Sequence, residues 1–211
     1  MKYEDLVHRD RLYYMKFTDV PFTGKVTGKL QGSFKNGKLD GPFVEFWDSG
    51  QAMCKGTYKD GEKAGLWVRY HQNGGLSLKG TFKDGKQDGP FFSYHQNGQL
   101  EYKETYKDGK KDGPWISYSK NGQLWSKGTY KDGKQNGSWV KFWSNGQLEY
   151  KGSYRDGKLD GPYVKYWSNG KLATKGSCKE GKKDGPWTSY NLSLIHISEP
   201  TRQERIGDWR V

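Results

Sequence analysis

Gly161-Pro162-Tyr163-Val164-Lys165-Tyr166-Trp167-Ser168-Asn169-Gly170-Lys171-Leu172-Ala173-Thr174-Lys175-Gly176-Ser177-Cys178-Lys179-Glu180-Gly181-Lys182-Lys183-Asp184 decides the fold. Its first apolar run, Tyr163 to Trp167, is β-branched and aromatic and reads as a strand. Asn169-Gly170 supplies the positive φ angles of a tight hairpin. Leu172 to Cys178 reads as the returning strand, and Lys179 to Asp184 as a longer polar turn into the next Gly-Pro.

The unit recurs. Asp-Gly-Pro-aromatic stands at 40–43, 88–91, 112–115, 160–163 and 184–187. Ala64-Gly65-Leu66-Trp67 and Asn136-Gly137-Ser138-Trp139 fill the gaps, so the glycine returns every 24 residues. A fixed period of this length marks a repeat architecture. Two turn signals alternate 11 and 13 residues apart, so each unit is a β-hairpin, and no stretch shows helical periodicity. The expected fold is all-β, an elongated single-layer antiparallel meander of hairpin repeats whose stability is nearly one-dimensional.

Alternation along the strands sorts the side chains. In the second strand of a unit, Leu148, Tyr150, Gly152 and Tyr154 share one face, and Glu149, Lys151 and Ser153 the other. Repetition turns these positions into ladders along the sheet. One is Lys55, Lys79, Lys103, Lys127, Lys151 and Lys175; another is Tyr58, Phe82, Tyr106, Tyr130 and Tyr154, broken by Cys178. Glycines 56, 80, 128, 152 and 176 leave room for a neighbouring ring to lie over the backbone. Glu104 departs from that pattern and marks an expected local weakness.

Composition agrees with a sheet built on rings. Only 32% of the 211 residues are hydrophobic and the mean hydropathy is −1.08, which alone leans towards disorder. The 16% aromatic content argues against it. The net charge of +12 lies in the repeats, because the first 20 residues balance. Lysines at these positions keep an open sheet soluble and also favour anionic partners. Cys54 and Cys178 lie about five units apart, roughly 45 to 50 Å at ~4.8 Å per strand, so free thiols are expected. No apolar run is long enough for a transmembrane helix. The chain is expected to be cytoplasmic if Met1 is the true start, and of the envelope or secreted if a signal peptide precedes it.

Both ends depart from the period. Residues 1–33, with Pro21-Phe22-Thr23-Gly24-Lys25-Val26, read as an N-terminal cap joined to a shortened first unit, and 34–191 as the hairpin repeats. The period demands an Asn-Gly at 193–194, where the chain has Ser193-Leu194. Leu192 to Arg202 resembles the translation of a transposase-end sequencing adapter. Residues 192–211 are therefore expected to be a non-native tail, with His196 and Trp209 excluded as site residues.

Gly-Pro-Trp-x-x-Tyr at 113–118, Asn121-Gly122-Gln123-Leu124 and Lys127-Gly128-Thr129-Tyr130-Lys131-Asp132-Gly133-Lys134 resemble the bacterial variant of MORN repeats. Phe17 to Val26 resembles the entry common among proteins labelled YwqK-family antitoxins. The resemblance implies a non-catalytic repeat protein and, through that label, neutralisation of a toxin by binding. MORN repeats elsewhere serve as scaffolds, dimerisation modules and suggested lipid binders.

Little in the chain reads as chemistry. His71 and His95 fill the slot held by Trp47, Trp143 and Trp167, about 10 Å apart if on alternate strands, too far for a shared metal. The aspartates sit in turns, and there is no Cys-x-x-Cys, Gly-x-Ser-x-Gly or phosphate loop. No enzyme, cofactor, metal site or small-molecule substrate is expected. The expected function is binding of another macromolecule, above all a protein, with an anionic lipid or envelope polysaccharide as alternative partner. Nucleic acid is disfavoured, because the aromatics it would stack on are needed to build the sheet. The candidate binding face comprises Trp47, Trp143, Trp167 and the ladder Lys55, Lys79, Lys103, Lys127, Lys151 and Lys175.

Overall fold

The computed structural model describes residues 1–191, so the tail expected at 192–211 lies outside the described residues. A 3-10 turn, Tyr3–Asp5, leads into a separate hairpin of Leu6–Arg9 and Leu12–Met15. From Gly24–Val26 to Lys182–Ser189 the strands then pair antiparallel in chain order, with Lys110–Lys111 and Gly113–Tyr118 both on Leu100–Lys107, and Lys134–Gln135 and Gly137–Phe142 both on Leu124–Lys131. The short strand Gly24–Val26 pairs with Leu30–Lys35, and Lys182–Ser189 with Leu172–Lys179, so among the described residues the meander has two ends and does not close. Packing runs essentially between successive strands. No helix among the described residues is long and apolar enough to cross a membrane.

The two turns have exchanged the roles expected of them. At Asp156-Gly157 both residues have positive φ, 50° and 82°, the two-residue turn whose twist matches a hairpin. Six other turns of this kind follow it, at Asn36, Asp60, Asp84, Asp108, Asp132 and Glu180. The Asn-Gly connection is the longer one. In it Gly74 N–H donates to His71 C=O and His71 N–H to Gly75 C=O, while only Gly74 has positive φ, 82°. This is a three-residue loop ending in a left-handed glycine. The asparagine contributes through its side chain: Asn97 Oδ1 accepts from Gln99 N–H (3.1 Å), and its amide donates to Lys120 C=O (2.7 Å) in the next unit.

A bulge follows each such loop and resets the faces. Lys141 pairs with Tyr150, but Phe142 pairs with Leu148, so Glu149 is the extra residue. Directly paired residues share a face. Leu148 therefore lies with Phe142, Val140 and Lys151, not with Tyr150 as strict alternation predicts. Glu149 turns to the Tyr150 side, where its carboxylate meets the Lys141 ammonium at 3.0 Å.

The core is one face of the sheet. Phe43, Trp67, Phe91 and Trp139 are buried there and meet the second ladder edge-on: Trp67 with Tyr58 (5.0 Å), Phe91 with Tyr106 (5.0 Å), Trp139 with Tyr130 (5.4 Å). The expected covering of glycine by rings is present. A Cβ on Gly56, Gly80, Gly128 or Gly176 would overlap the ring of Trp67, Phe91, Trp139 or Trp187, and on Gly152 it would lie 3.1 Å from Tyr163. Lysine side chains lie over the outer surface, with Lys63 Nζ 4.4 Å from the Trp67 ring centroid. At the N-terminal end Phe22, Val26 and Phe34 are buried together against Tyr3, Leu6 and Tyr13.

Candidate functional site

The opposite face carries the lysine ladder. Lys55, Lys79, Lys103, Lys127, Lys151 and Lys175 are all exposed, and each pairs with a β-branched or aromatic residue on both sides. The row reads Val44, Lys55, Val68, Lys79, Phe92, Lys103, Ile116, Lys127, Val140, Lys151, Val164, Lys175, Thr188 across the sheet. At two strands per lysine the ammonium groups recur about every 9.6 Å. The stems stay against the aromatic neighbours: Lys103 Nζ lies 5.6 Å from the Phe92 ring. Prolines and hydroxyl residues flank this row, as in Pro114 opposite Thr129 and Pro162 opposite Ser177. Two open troughs, of about 640 and 580 Å³, lie along it.

Nearer the two-residue turns, a second basic row lies on this face. Lys83 is directly opposite Lys86, Lys107 opposite Lys110, Lys131 opposite Lys134, Arg155 opposite Lys158 and Lys179 opposite Lys182. Lys59 meets Glu62 instead. Like charges set directly opposite destabilise a hairpin. Arg155 is also 3.6 Å from Asp160, a compensation that leaves its partner lysine free of it.

The nine residues expected to form one binding face are divided. Trp47, Trp143 and Trp167 are half-buried at the strand ends, at the Asn-Gly edge. Trp143 lines a cavity with Trp115, Tyr102 and Ser117, all on the aromatic face, whereas Lys103 and Lys127 line a trough with Pro114 and Val140 on the other. For Trp143 the physical reason is a clamp between units, which Trp47 and Trp167 lack, their ring nitrogens being buried without a partner among the described residues. Trp143 Nε1 donates to Tyr166 C=O (3.2 Å), and the ring nitrogens of His71 and His95 reach Tyr94 C=O (2.8 Å) and Tyr118 C=O (3.1 Å), each 23 residues on. The carbonyls can only accept, so each histidine donates from Nε2.

Glu104 occupies the place of a ring-covered glycine. It is 5% exposed, yet both carboxylate oxygens are engaged. Oε1 accepts from Tyr106 O–H (2.7 Å), and Oε2 lies 2.6 Å from the Lys111 ammonium, off the hydrogen-bonding direction. Burial and this carboxylate both push the Tyr106 phenol well above its ordinary range. Cys54 and Cys178 are free and buried. Burial pushes the Cys54 thiol up to about 11, helped by the Glu45 carboxylate 3.6 Å away. Among the described residues no three His, Cys, Asp or Glu side chains are grouped to hold a metal.

The sequence reading missed the opposed basic pairs, although the signal was present: a lysine or arginine stands immediately before the Asp-Gly or Glu-Gly turn and another immediately after it. No curated protein matches the chain at a significant level. The family model for the MORN repeat variant matches residues 63–84, 87–108, 111–132, 135–156 and 159–179, together more than half of the chain. Those segments coincide with the hairpins whose glycines, rings and lysines build the two faces just described, and the chain belongs to the MORN repeat variant family.

Proposed function

We propose that this protein is a non-catalytic scaffold that binds an acidic protein surface along its lysine face. The observation that carries this reading is the set of directly opposed cations: Lys83 and Lys86, Lys107 and Lys110, Lys131 and Lys134, Lys179 and Lys182. Repeating a repulsive pair unit after unit costs stability, and an anionic partner removes that cost. The Val, Ile and Phe residues between the ladder lysines add apolar contact, which separates a docking surface from a merely soluble one. Neutralisation of an acidic toxin is one form that such binding takes, and it fits the same face.

The same row, with ammonium groups beside aliphatic side chains, also suits an anionic lipid surface, and the experiment separates the two. A photo-crosslinking residue is placed at Val140 and, separately, at Leu66 of the same face, in cells carrying the natural gene. Protein adducts at 140 that disappear in Lys103→Glu/Lys127→Glu/Lys151→Glu support the protein reading. Salt-sensitive binding of the purified chain to phosphatidylserine vesicles, without protein adducts, replaces it with the lipid reading. Neither result, with the triple variant behaving like the parent, overturns both.

A further inference from the structure

Three departures from the repeat converge on one place on the aromatic face. The ring slot reads Trp47, His71, His95, Ser119, Trp143, Trp167, and Ser119 has no ring to fill it. The extra residue of each bulge reads Met53, Ser77, Glu101, Trp125, Glu149, Ala173, and only here is it a tryptophan, 48% exposed. Trp115 is the ring whose upstream partner is Glu104 rather than glycine, and its indole stacks on Trp139 instead (5.1 Å, 29°). The result is a cavity of about 440 Å³ between His95 and Trp143, walled by Trp115, Trp125 and Tyr102. That size falls within the range of small-ligand sites.

Its polar groups are mixed, a hydroxyl, a carboxylate and an amide, with one lysine at the rim. Ser117 lines the cavity, is 5% exposed, and its hydroxyl has no hydrogen-bond partner among the described residues. A buried hydroxyl left unpaired is costly, and a ligand that pairs it recovers that cost. Glu101 lines the cavity and accepts from Ser93 O–H (2.7 Å), and Gln123 adds an amide at the rim. A cationic ligand would meet the Lys141 ammonium, already 5.3 Å from the Trp125 ring and held by Glu149, with Lys120 at the rim. An anionic ligand would meet Glu101. An uncharged ring with an apolar C–H face and hydroxyls that both donate and accept satisfies the indoles and the polar groups together.

We infer that this cavity binds one pyranose ring of a neutral glycan, independently of the lysine face. The test uses the full chain with chitohexaose, cellohexaose and maltohexaose as probes, followed by calorimetry and tryptophan fluorescence. At least one probe is expected to bind. Ser119→Trp restores the ring of the slot and fills the cavity, and Trp125→Ala removes an exposed wall. Each should weaken binding roughly tenfold or more, with the unfolding temperature of Ser119→Trp equal to or above the parent's. Lys103→Glu/Lys127→Glu/Lys151→Glu should bind the probe as the parent does, which separates this site from the scaffold reading. The inference is overturned if no probe binds at millimolar concentration, if Ser119→Trp binds as tightly as the parent, or if tetramethylammonium binds where the sugars do not.

Discussion

The indole of Trp139 lies flat on the backbone of Gly128, and its Nε1 donates to the carbonyl of Thr129 next door (3.3 Å). Trp67 repeats the arrangement over Gly56 with Thr57, and Trp187 over Gly176 with Ser177. The glycine is there for closeness rather than for an unusual φ, because only a residue without a Cβ lets the ring touch the main chain. Gly128→Ala therefore expels the ring. The expected loss is about 1 to 3 kcal/mol, read from chemical denaturation. A midpoint unchanged from the parent would show that the ring has another place to go.

Glu104→Gly should act in the opposite direction. It removes a buried carboxylate and lets Trp115 lie down as Trp139 does. Restoring the majority residue of a repeat commonly adds about 0.5 to 2 kcal/mol. A fall in unfolding temperature would mean that the contacts of Glu104 with Lys111 and Tyr106 outweigh the repeat geometry.

The Asp-Gly turns separate two roles. Gly157 has φ 82° and Asp156 φ 50°. Gly157→Ala places a Cβ in the left-handed region and should cost about 1 to 2 kcal/mol. Asp156→Asn keeps a residue that tolerates that region and should change stability by no more than about 0.5 kcal/mol. Thermal unfolding of the pair checks both. Equal losses would show that the aspartate carboxylate, and not backbone geometry, holds the turn.

Stability should fall at alkaline pH. Burial against neighbouring rings pushes the Tyr154 phenol up to about 12, and raises Tyr58, Tyr106, Tyr150 and Tyr163 as well. In the unfolded chain these phenols titrate near 10. The folded state therefore holds its protons more tightly. This contribution is complete below about pH 10 and is lost as the pH rises from there through about 12. Phenolate absorbance followed together with circular dichroism should show late ionisation coinciding with unfolding. Tyrosines that all ionise near pH 10 in an intact sheet would contradict the packing of the aromatic face.

Much of this architecture is legible in the sequence because a 24-residue period exposes each position several times. The hairpins, the covered glycines and the singularity of Glu104 follow from that alignment. The bulge at Glu149 does not, because a single extra residue leaves no mark in composition yet transfers Leu148 to the other face. Nor does the place of Trp143 apart from the lysines, where its ring nitrogen reaches the Tyr166 carbonyl 23 residues on. The cavity was open to reading: Ser119 and Trp125 are visible breaks once the units are aligned. The residues that form it are those the repeat does not need.

A meander in which each strand holds chiefly its neighbours also has a mechanical character. Force applied along the stack pulls strands apart across their hydrogen bonds, one ladder at a time. Each unit peeled in this way releases 24 residues, a contour of about 80 Å, before the next comes under load. The side-chain links from His71 to Tyr94, His95 to Tyr118 and Trp143 to Tyr166 join units at the far edge, so each acts as a latch that must open before its hairpin can leave. Ser119 has no ring to latch, and the ring nitrogens of Trp47 and Trp167 find no partner among the described residues, so under tension the chain would part first at these unlatched steps.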